Sequence, residues 1–197
     1  MKRIVIASGN KGKIVDFQAV FKEYEIIPIK TLIPDFDPEE TEDTFHGNAT
    51  LKSEYAAARL NLPVISDDSG LSVKALDGAP GVYSARYSGI GATDKKNNEK
   101  LLKALEGIED RSAYFTSVIA LSIPGEETRT YEGRLYGEIL ESPEGDGGFG
   151  YDPLFKTDEG VSLGTISPDE KAQISHRRRA LDELRKDEEL FKILTNS

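Results

Sequence analysis

Four short strings hold the residues whose types and spacing could do chemistry. Ser8-Gly9-Asn10-Lys11-Gly12-Lys13 joins two glycines, which let a backbone approach a ligand closely, to two ammonium groups. That is the chemistry of anion holding, and of a polyphosphate in particular, if the string opens a helix whose first amides are free. It is not a Walker A loop, because the glycine spacing is too short and Ile14 stands where a Ser or Thr would meet magnesium. By itself the string also fits an ordinary tight turn with surface lysines. Ser66-Asp67-Asp68-Ser69-Gly70 places two adjacent carboxylates at the end of the apolar pair Val64-Ile65, where α/β proteins put their ligands. Neighbouring residues on a strand point to opposite faces, so one carboxylate enters a cleft. The alternative is an Asp-rich turn satisfied by its own amides.

A hard cation such as magnesium takes one or two protein carboxylates when substrate phosphates and waters complete its shell. The Asp string offers one, and the acidic block 33–45, with Asp35, Asp37, Glu39, Glu40, Glu42 and Asp43 and no basic residue, offers another. Gly147-Gly148-Phe149-Gly150-Tyr151-Asp152 sets two rings beside a carboxylate, a base-stacking platform with a hydrogen-bonding edge, or else a bulge with aromatic core residues. Ser175-His176-Arg177-Arg178-Arg179 poses a geometric question. In one unbroken helix Lys171 and His176 lie about 140° apart and cannot serve one ligand. If Ser175 caps a second helix, His176 and Arg177 sit at its start, with Ala180, Leu181 and Leu184 as its buried stripe. The alternative is a basic helix surface balanced by Asp182, Glu183, Asp187 and Glu188. The string 78–86 reads as turn architecture followed by Arg86.

The elements that must position these strings are legible from periodicity. A β-branched run at 2–7 predicts a buried strand, and Ile14, Phe17, Val20 and Phe21 predict the helix after it. A strand follows at 24–29, an Ala-rich helix at 45–60, and strand again at 64–65 and 71–76 on either side of the Asp string. Thr93 caps a helix carrying Leu101, Leu102 and Leu105 that Gly107 ends. Strands 113–123 and 128–140 form a hairpin across Pro124-Gly125-Glu126-Glu127. Ser167-Pro168-Asp169-Glu170 is a capping box with Pro at the first helical position. With no repeat and no linker, the order predicts one α/β domain over 1–197, with two lobes around a cleft.

Composition narrows the function. The 197 residues include no Cys and only two His, His46 and His176, which excludes thiolate zinc sites, cysteine nucleophiles and multi-histidine metal sites. A formal charge of −10 argues against a nucleic-acid partner, although a small anionic ligand is allowed. The basic residues gather at 171–186. No apolar run near the start reaches the length of a signal-peptide core or a membrane span, so the expectation is a cytoplasmic protein with no membrane partner.

Taken in order, Ser8 to Lys13, Glu39-Glu40-Thr41, Ser66 to Leu71, the string from Gly78 to Tyr87, Gly148-Phe149-Gly150-Tyr151-Asp152-Pro153 and Ser175-His176-Arg177 resemble the inosine triphosphate pyrophosphatase family along nearly the whole chain. The resemblance implies an α/β fold with a long mixed sheet and flanking helices around a nucleotide cleft, and a homodimer. It implies hydrolysis of ITP, dITP and XTP to the monophosphate and pyrophosphate with Mg2+, or Mn2+ in its place, which keeps these nucleotides out of DNA and RNA. Carried over, Ser8, Gly9, Asn10, Lys11, Gly12 and Lys13 hold the triphosphate with Lys52. Asp68 is the catalytic carboxylate and a metal ligand. Glu40, twelve residues before Lys52, is the second metal contact rather than its neighbour Glu39. Ser69 touches substrate and Phe149 stacks on the base. Gly150, Tyr151, Asp152, Lys171, His176 and Arg177 frame the base, with Arg177 and His176 offering donors to a purine 6-keto oxygen. Two other readings are a related pyrophosphatase of different base preference, against which Ser175-His176-Arg177 argues, and a nucleotide sensor without turnover, which would gain little from Asp68 and Glu40.

Overall fold

Three short apolar stretches at the start of the chain build the parallel part of a six-stranded mixed sheet ordered β2-β1-β3-β4-β5-β6. The structure is a computed structural model and describes residues 2–196. β1 (Lys2–Ile6) lies parallel to β2 (Tyr24–Pro28), with Ile4 opposite Ile26, and parallel to β3 (Val64–Val73) through Val5 opposite Val64 and Ile6 opposite Ile65. α1 (Lys11–Val20) joins β1 to β2, and α2 (Phe45–Leu60) joins β2 to β3. Because β2 and β3 flank β1 on opposite sides, right-handed crossovers put the two helices on opposite faces. Phe17 and Val20 of α1 pack with Ile65, and Ala56 and Ala57 of α2 with Val64.

β3, β4 (Ser112–Ser122) and β5 (Arg129–Ile139) form a long antiparallel ladder, and β6 (Phe155–Thr157) extends its edge. Ten to eleven residues span about 35 Å, enough to reach from one apolar core to another. Ile65 belongs to a core with Ile4, Phe17, Phe21, Ile119 and Leu181. Leu71 and Val73 belong to a second core with Leu101, Leu105, Phe115 and Leu135. Between them the same strand carries only Ser66 to Gly70. This polar waist between two cores is where the cleft opens.

Here the structure corrects the sequence reading, which ended one strand at the Asp string and resumed another over 71–76. The strand is continuous from Val64 to Val73, and a 3₁₀ turn occupies Lys74–Leu76. An unbroken ladder from Val64 opposite Ser122 to Val73 opposite Ala113 supplies the backbone partners that a turn would otherwise provide. The side chains find partners on α2 and on the neighbouring strand: the Ser66 hydroxyl donates to the Ala49 carbonyl and Ser117 of β4 donates to Asp67. Tertiary pairing outweighs the local turn preference of the Ser-Asp string.

α3 (Asp94–Ala104) is capped by Thr93, whose hydroxyl accepts from the Lys96 amide. α4 (Pro168–Ile174) starts in a full capping box between Ser167 and Glu170. Ser175, extended at φ −65° and ψ 158°, ends α4 and caps α5 (His176–Lys186) by accepting from the Arg178 amide. The helix break anticipated from the Lys171–His176 angle is therefore present. α6 (Glu188–Thr195) closes the chain, and no described helix is long and apolar enough to cross a membrane.

Candidate functional site

The site begins where β1 stops. After Ala7 donates to the Ile65 carbonyl at 2.8 Å, the chain turns away and leaves β3 without a strand neighbour on that side from Ser66 onward. Two ammonium groups take the vacated position. Lys13 of α1 and Lys52 of α2 both donate to the Asp67 carbonyl oxygen, at 3.3 and 3.0 Å, reaching it from helices on opposite faces. A topological switch point thus becomes a cation pair.

Alternation along β3 separates the two carboxylates. Asp68 lies on the α2 face, where Lys52 Nζ sits 3.5 Å from its Oδ1 and 2.7 Å from Glu40 Oε1. Asp68 Oδ2 is buried with no hydrogen-bond partner. Burial raises the Asp68 pKa; Lys52 and Lys13 oppose the rise, and Glu40 and Asp67 add to it. Asp67 lies on the α1 and α5 face with no solvent exposure. Its Oδ2 pairs with Lys13 Nζ at 2.7 Å and Arg177 Nη2 at 3.2 Å, and its Oδ1 accepts from Ser117. Burial alone would raise its pKa, but Arg177 and Lys13 hold it well below the ordinary value. One carboxylate thus keeps free acceptor capacity and the other is a fully engaged counterion.

The first loop has a compact cap: Asn10 Oδ1 accepts from the Lys13 amide at 3.1 Å, and Ser8 Oγ accepts from the Asn10 amide at 3.2 Å. Ser8, Gly9, Asn10 and Lys13 line the cleft. Lys11 is exposed outside it, and Gly12 lies against the Phe149 ring, where an added Cβ would stand 2.4 Å from ring carbons. Only glycine fits there.

The opposite wall rests on charges that satisfy one another. Asp152 accepts from the Phe149 amide at 3.0 Å and from Lys171 Nζ at 2.7 Å, and Lys171 also lies 4.5 Å from the Phe149 ring centre. Asp16 of α1 binds Lys171 at 3.2 Å and Arg177 Nη1 more closely. Arg177 has no exposure; its Nη2 also reaches Ser69 Oγ at 3.2 Å, and its Nε is buried and unpartnered. The sequence reading offered Arg177 to a base; both of its terminal nitrogens are in ion pairs here, and Nε is the guanidinium nitrogen without a partner. His176 stacks on Phe115 at 4.9 Å, 15° from parallel, and its Nδ1 has no partner. Burial, with Arg177 and Lys171 adding to it, pushes its pKa well below 6.5, so the ring is neutral. Tyr151 donates to the Ser84 carbonyl at 2.6 Å.

The two walls enclose a cleft of about 310 Å³. Every candidate residue predicted from the sequence lines it except Lys11 and Gly12, so Glu40, Lys52, Asp68 and Ser69 meet Phe149, Gly150, Tyr151, Asp152, Lys171, His176 and Arg177 across one space. Sequence reasoning missed Asp16, Asp94, Asn98 and the counterion role of Asp67. Asp16 had a signal: it stands four residues before Val20 on the helix face that buries Phe17, and a carboxylate there requires a cation. Among the described residues no group of three or more His, Cys, Asp or Glu is assembled to hold a metal ion. Glu40 and Asp68 are a pair of hard oxygen donors, which suits a magnesium-type ion completed by other oxygens and not a closed zinc site.

Comparison with known proteins identifies the family and the fold. The model of the Ham1 family matches residues 4–187. The dITP/XTP pyrophosphatase of Staphylococcus aureus strain MW2 is 52% identical over 185 residues, covering 92% of this chain and 94% of the relative. That of Staphylococcus epidermidis strain ATCC 35984 is 53% identical over 182 residues, covering 92% and 93%. The solved structure of the Staphylococcus aureus Ham1 protein superposes with a TM-score of 0.84 at 51% identity, covering 95% of this chain and 98% of that one.

Proposed function

The chain belongs to the Ham1 family, and from that premise we propose that it hydrolyses ITP, dITP and XTP to the nucleoside monophosphate and pyrophosphate. The reading is carried by one observation: a buried, unpartnered Asp68 Oδ2 beside Glu40 and Lys52, facing an aromatic and basic wall across a nucleotide-sized cleft. The relatives named dITP/XTP pyrophosphatase support the same chemistry.

In this reading Lys13 and Lys52 hold the triphosphate, their ammonium groups already gathered at the β3 edge. Asp68 accepts a proton from the attacking water, a role that its unpartnered Oδ2 favours. Glu40 and Asp68 would hold a magnesium-type ion, which when bound neutralises charge on the phosphate oxygens. Phe149 supplies the stacking face, and the neutral His176 and the Arg177 Nε–H, which has no protein partner, are the donors offered to the base edge. Hypoxanthine and xanthine offer a 6-keto acceptor there; adenine offers a donor and would leave protein donors unpaired. The same reading makes the protein a cytoplasmic homodimer that clears these nucleotides from the pool before polymerases use them.

A panel of purine triphosphates with a pyrophosphate readout tests it. ITP and XTP should be cleaved far faster than ATP with magnesium or manganese, with little activity in calcium and none in excess chelator. Equal cleavage of ATP, or full activity without divalent ions, would overturn the reading.

A further inference from the structure

The segment 145–150 carries the Phe149 ring; its first residues are held against 164–166, where the Gly147 amide donates to the Gly164 carbonyl at 2.8 Å, and its far end at Gly150 is open. Half of its six residues are exposed, and a Cβ built at Gly150 meets nothing within 4 Å. Two of its nearest hydrogen bonds, Phe149 amide to Asp152 Oδ2 and Asp152 amide to the Phe149 carbonyl, are internal to the turn and do not fix it against the rest of the fold. The Gly150 peptide is different, since both of its polar groups are taken by side chains of one helix. Asp94 Oδ2 accepts from the Gly150 amide at 2.8 Å, and Asn98 Nδ2 donates to the Gly150 carbonyl at 3.0 Å.

Asp94 and Asn98 are four residues apart and share a face of α3. Neither is needed for the helix itself, because Thr93 provides its cap. Asn98 adopts its orientation although its Oδ1 is left buried and unpartnered. The reversed amide would set that oxygen against the Gly150 carbonyl. α3 is anchored by Leu101 and Leu105 in the second core, so its first turns are a rigid support. Gly150 itself has φ +61°, a left-handed conformation that the two bonds orient from both ends.

We propose that Asp94 and Asn98 are positioning residues that clamp the Gly150 peptide and so set the orientation of the base platform Phe149 to Asp152. Asp94 also borders the cleft, but the bonds that both residues make to the platform run through Gly150 and not to the reacting atoms. The inference rests on the nucleotide reading above for its kinetic consequence, but not for the clamp. Contacts to the base are remote from the scissile phosphate and are made equally in ground and transition states. Their loss therefore raises KM and leaves kcat nearly unchanged.

The test compares Asp94→Ala/Asn98→Ala, Asp94→Asn and the exposed control Glu99→Ala with the unaltered chain, with Asp94→Ala alone, at an exposed position, standing in if the double variant fails to fold. Amide hydrogen exchange at Gly150 in the nucleotide-free protein should rise roughly tenfold in the double variant, and KM for ITP by a similar factor, the scale of losing two modest hydrogen bonds. kcat should stay within about twofold. Asp94→Asn keeps an acceptor oxygen and should stay close to the unaltered chain where Asp94→Ala does not, and Glu99→Ala should change nothing. Unchanged exchange and KM overturn the clamp, as does a fall in kcat at constant KM, which marks only a smaller folded fraction. If the unaltered chain releases no pyrophosphate from ITP, the nucleotide reading fails by itself, and exchange at Gly150 alone decides whether the clamp stands.

Discussion

The two walls of the cleft use the same kinds of charged group in opposite states of satisfaction. On the wall formed by α2 and the β3 edge, Lys52 is shared between Glu40 and Asp68, and a carboxylate oxygen is left without a partner. On the wall formed by α1, α4 and α5, the carboxylates Asp16, Asp67 and Asp152 are paired with Lys13, Lys171 and Arg177 in a buried network. The first wall has valence to offer to an incoming ion or phosphate. The second uses its charges to hold shape, because buried ions without partners are costly and paired ones lock their geometry. Charge type alone does not mark a ligand group; residual hydrogen-bonding capacity does.

The sharpest way to break this comparison is Asp68→Asn. Loss of a general base alone is worth about 10²- to 10⁴-fold, and loss of an ion contact adds to it, so turnover on ITP should fall by at least two orders of magnitude. The fold should be kept, with equal or higher melting temperature, since the neutral amide is spared the desolvation that raises the Asp68 pKa. Near-normal turnover in a folded variant would show that the open wall is not the reactive one.

Arg177→Met asks the reverse question of the closed wall. Removing that guanidinium leaves Asp67 and Asp16 buried beside a missing charge, and stability measured by urea unfolding should drop by about 3 kcal/mol or more. Arg179→Ala, on the exposed face of α5, should stay within about 0.5 kcal/mol. Equal losses would mean that the network is ornamental.

The smallest effect is one of pH. His176 is held neutral in the folded protein and titrates near 6.5 when unfolded, so between its depressed folded pKa and 6.5 the unfolded state binds the extra proton. Stability from this residue is therefore complete above 6.5 and declines as pH falls below it, by at most about 1.4 kcal/mol per pH unit. His176→Phe, which keeps a ring against Phe115, should flatten that part of the melting-temperature profile. An unchanged slope would place the titration elsewhere.

Much of this protein was legible in its residues. The helix 45–60 was delimited as it is found, the capping box at Ser167 and the break at Ser175 followed from side-chain chemistry within four residues, and the cleft-lining strings were recognisable by type and spacing. These are local properties: a cap or a period is decided by neighbours in sequence, and so a single chain read alone reveals them. The fate of the Asp pair was not local. A Ser-Asp-Asp-Ser string prefers a turn by itself; it is strand here because β4 pairs it along its length, and its two carboxylates part company because alternation sends one toward Arg177, 110 residues away, and the other toward Lys52. Which charge is spent on structure and which stays free for chemistry depends on partners brought together only by the sheet. The sequence by itself determined most of the elements and the strings that meet at the cleft, and the tertiary structure alone joined β3 across the Asp pair, brought in Asp16, Asp94 and Asn98, and decided which groups remain unsatisfied, because burial and ion pairing are properties of the assembled cleft.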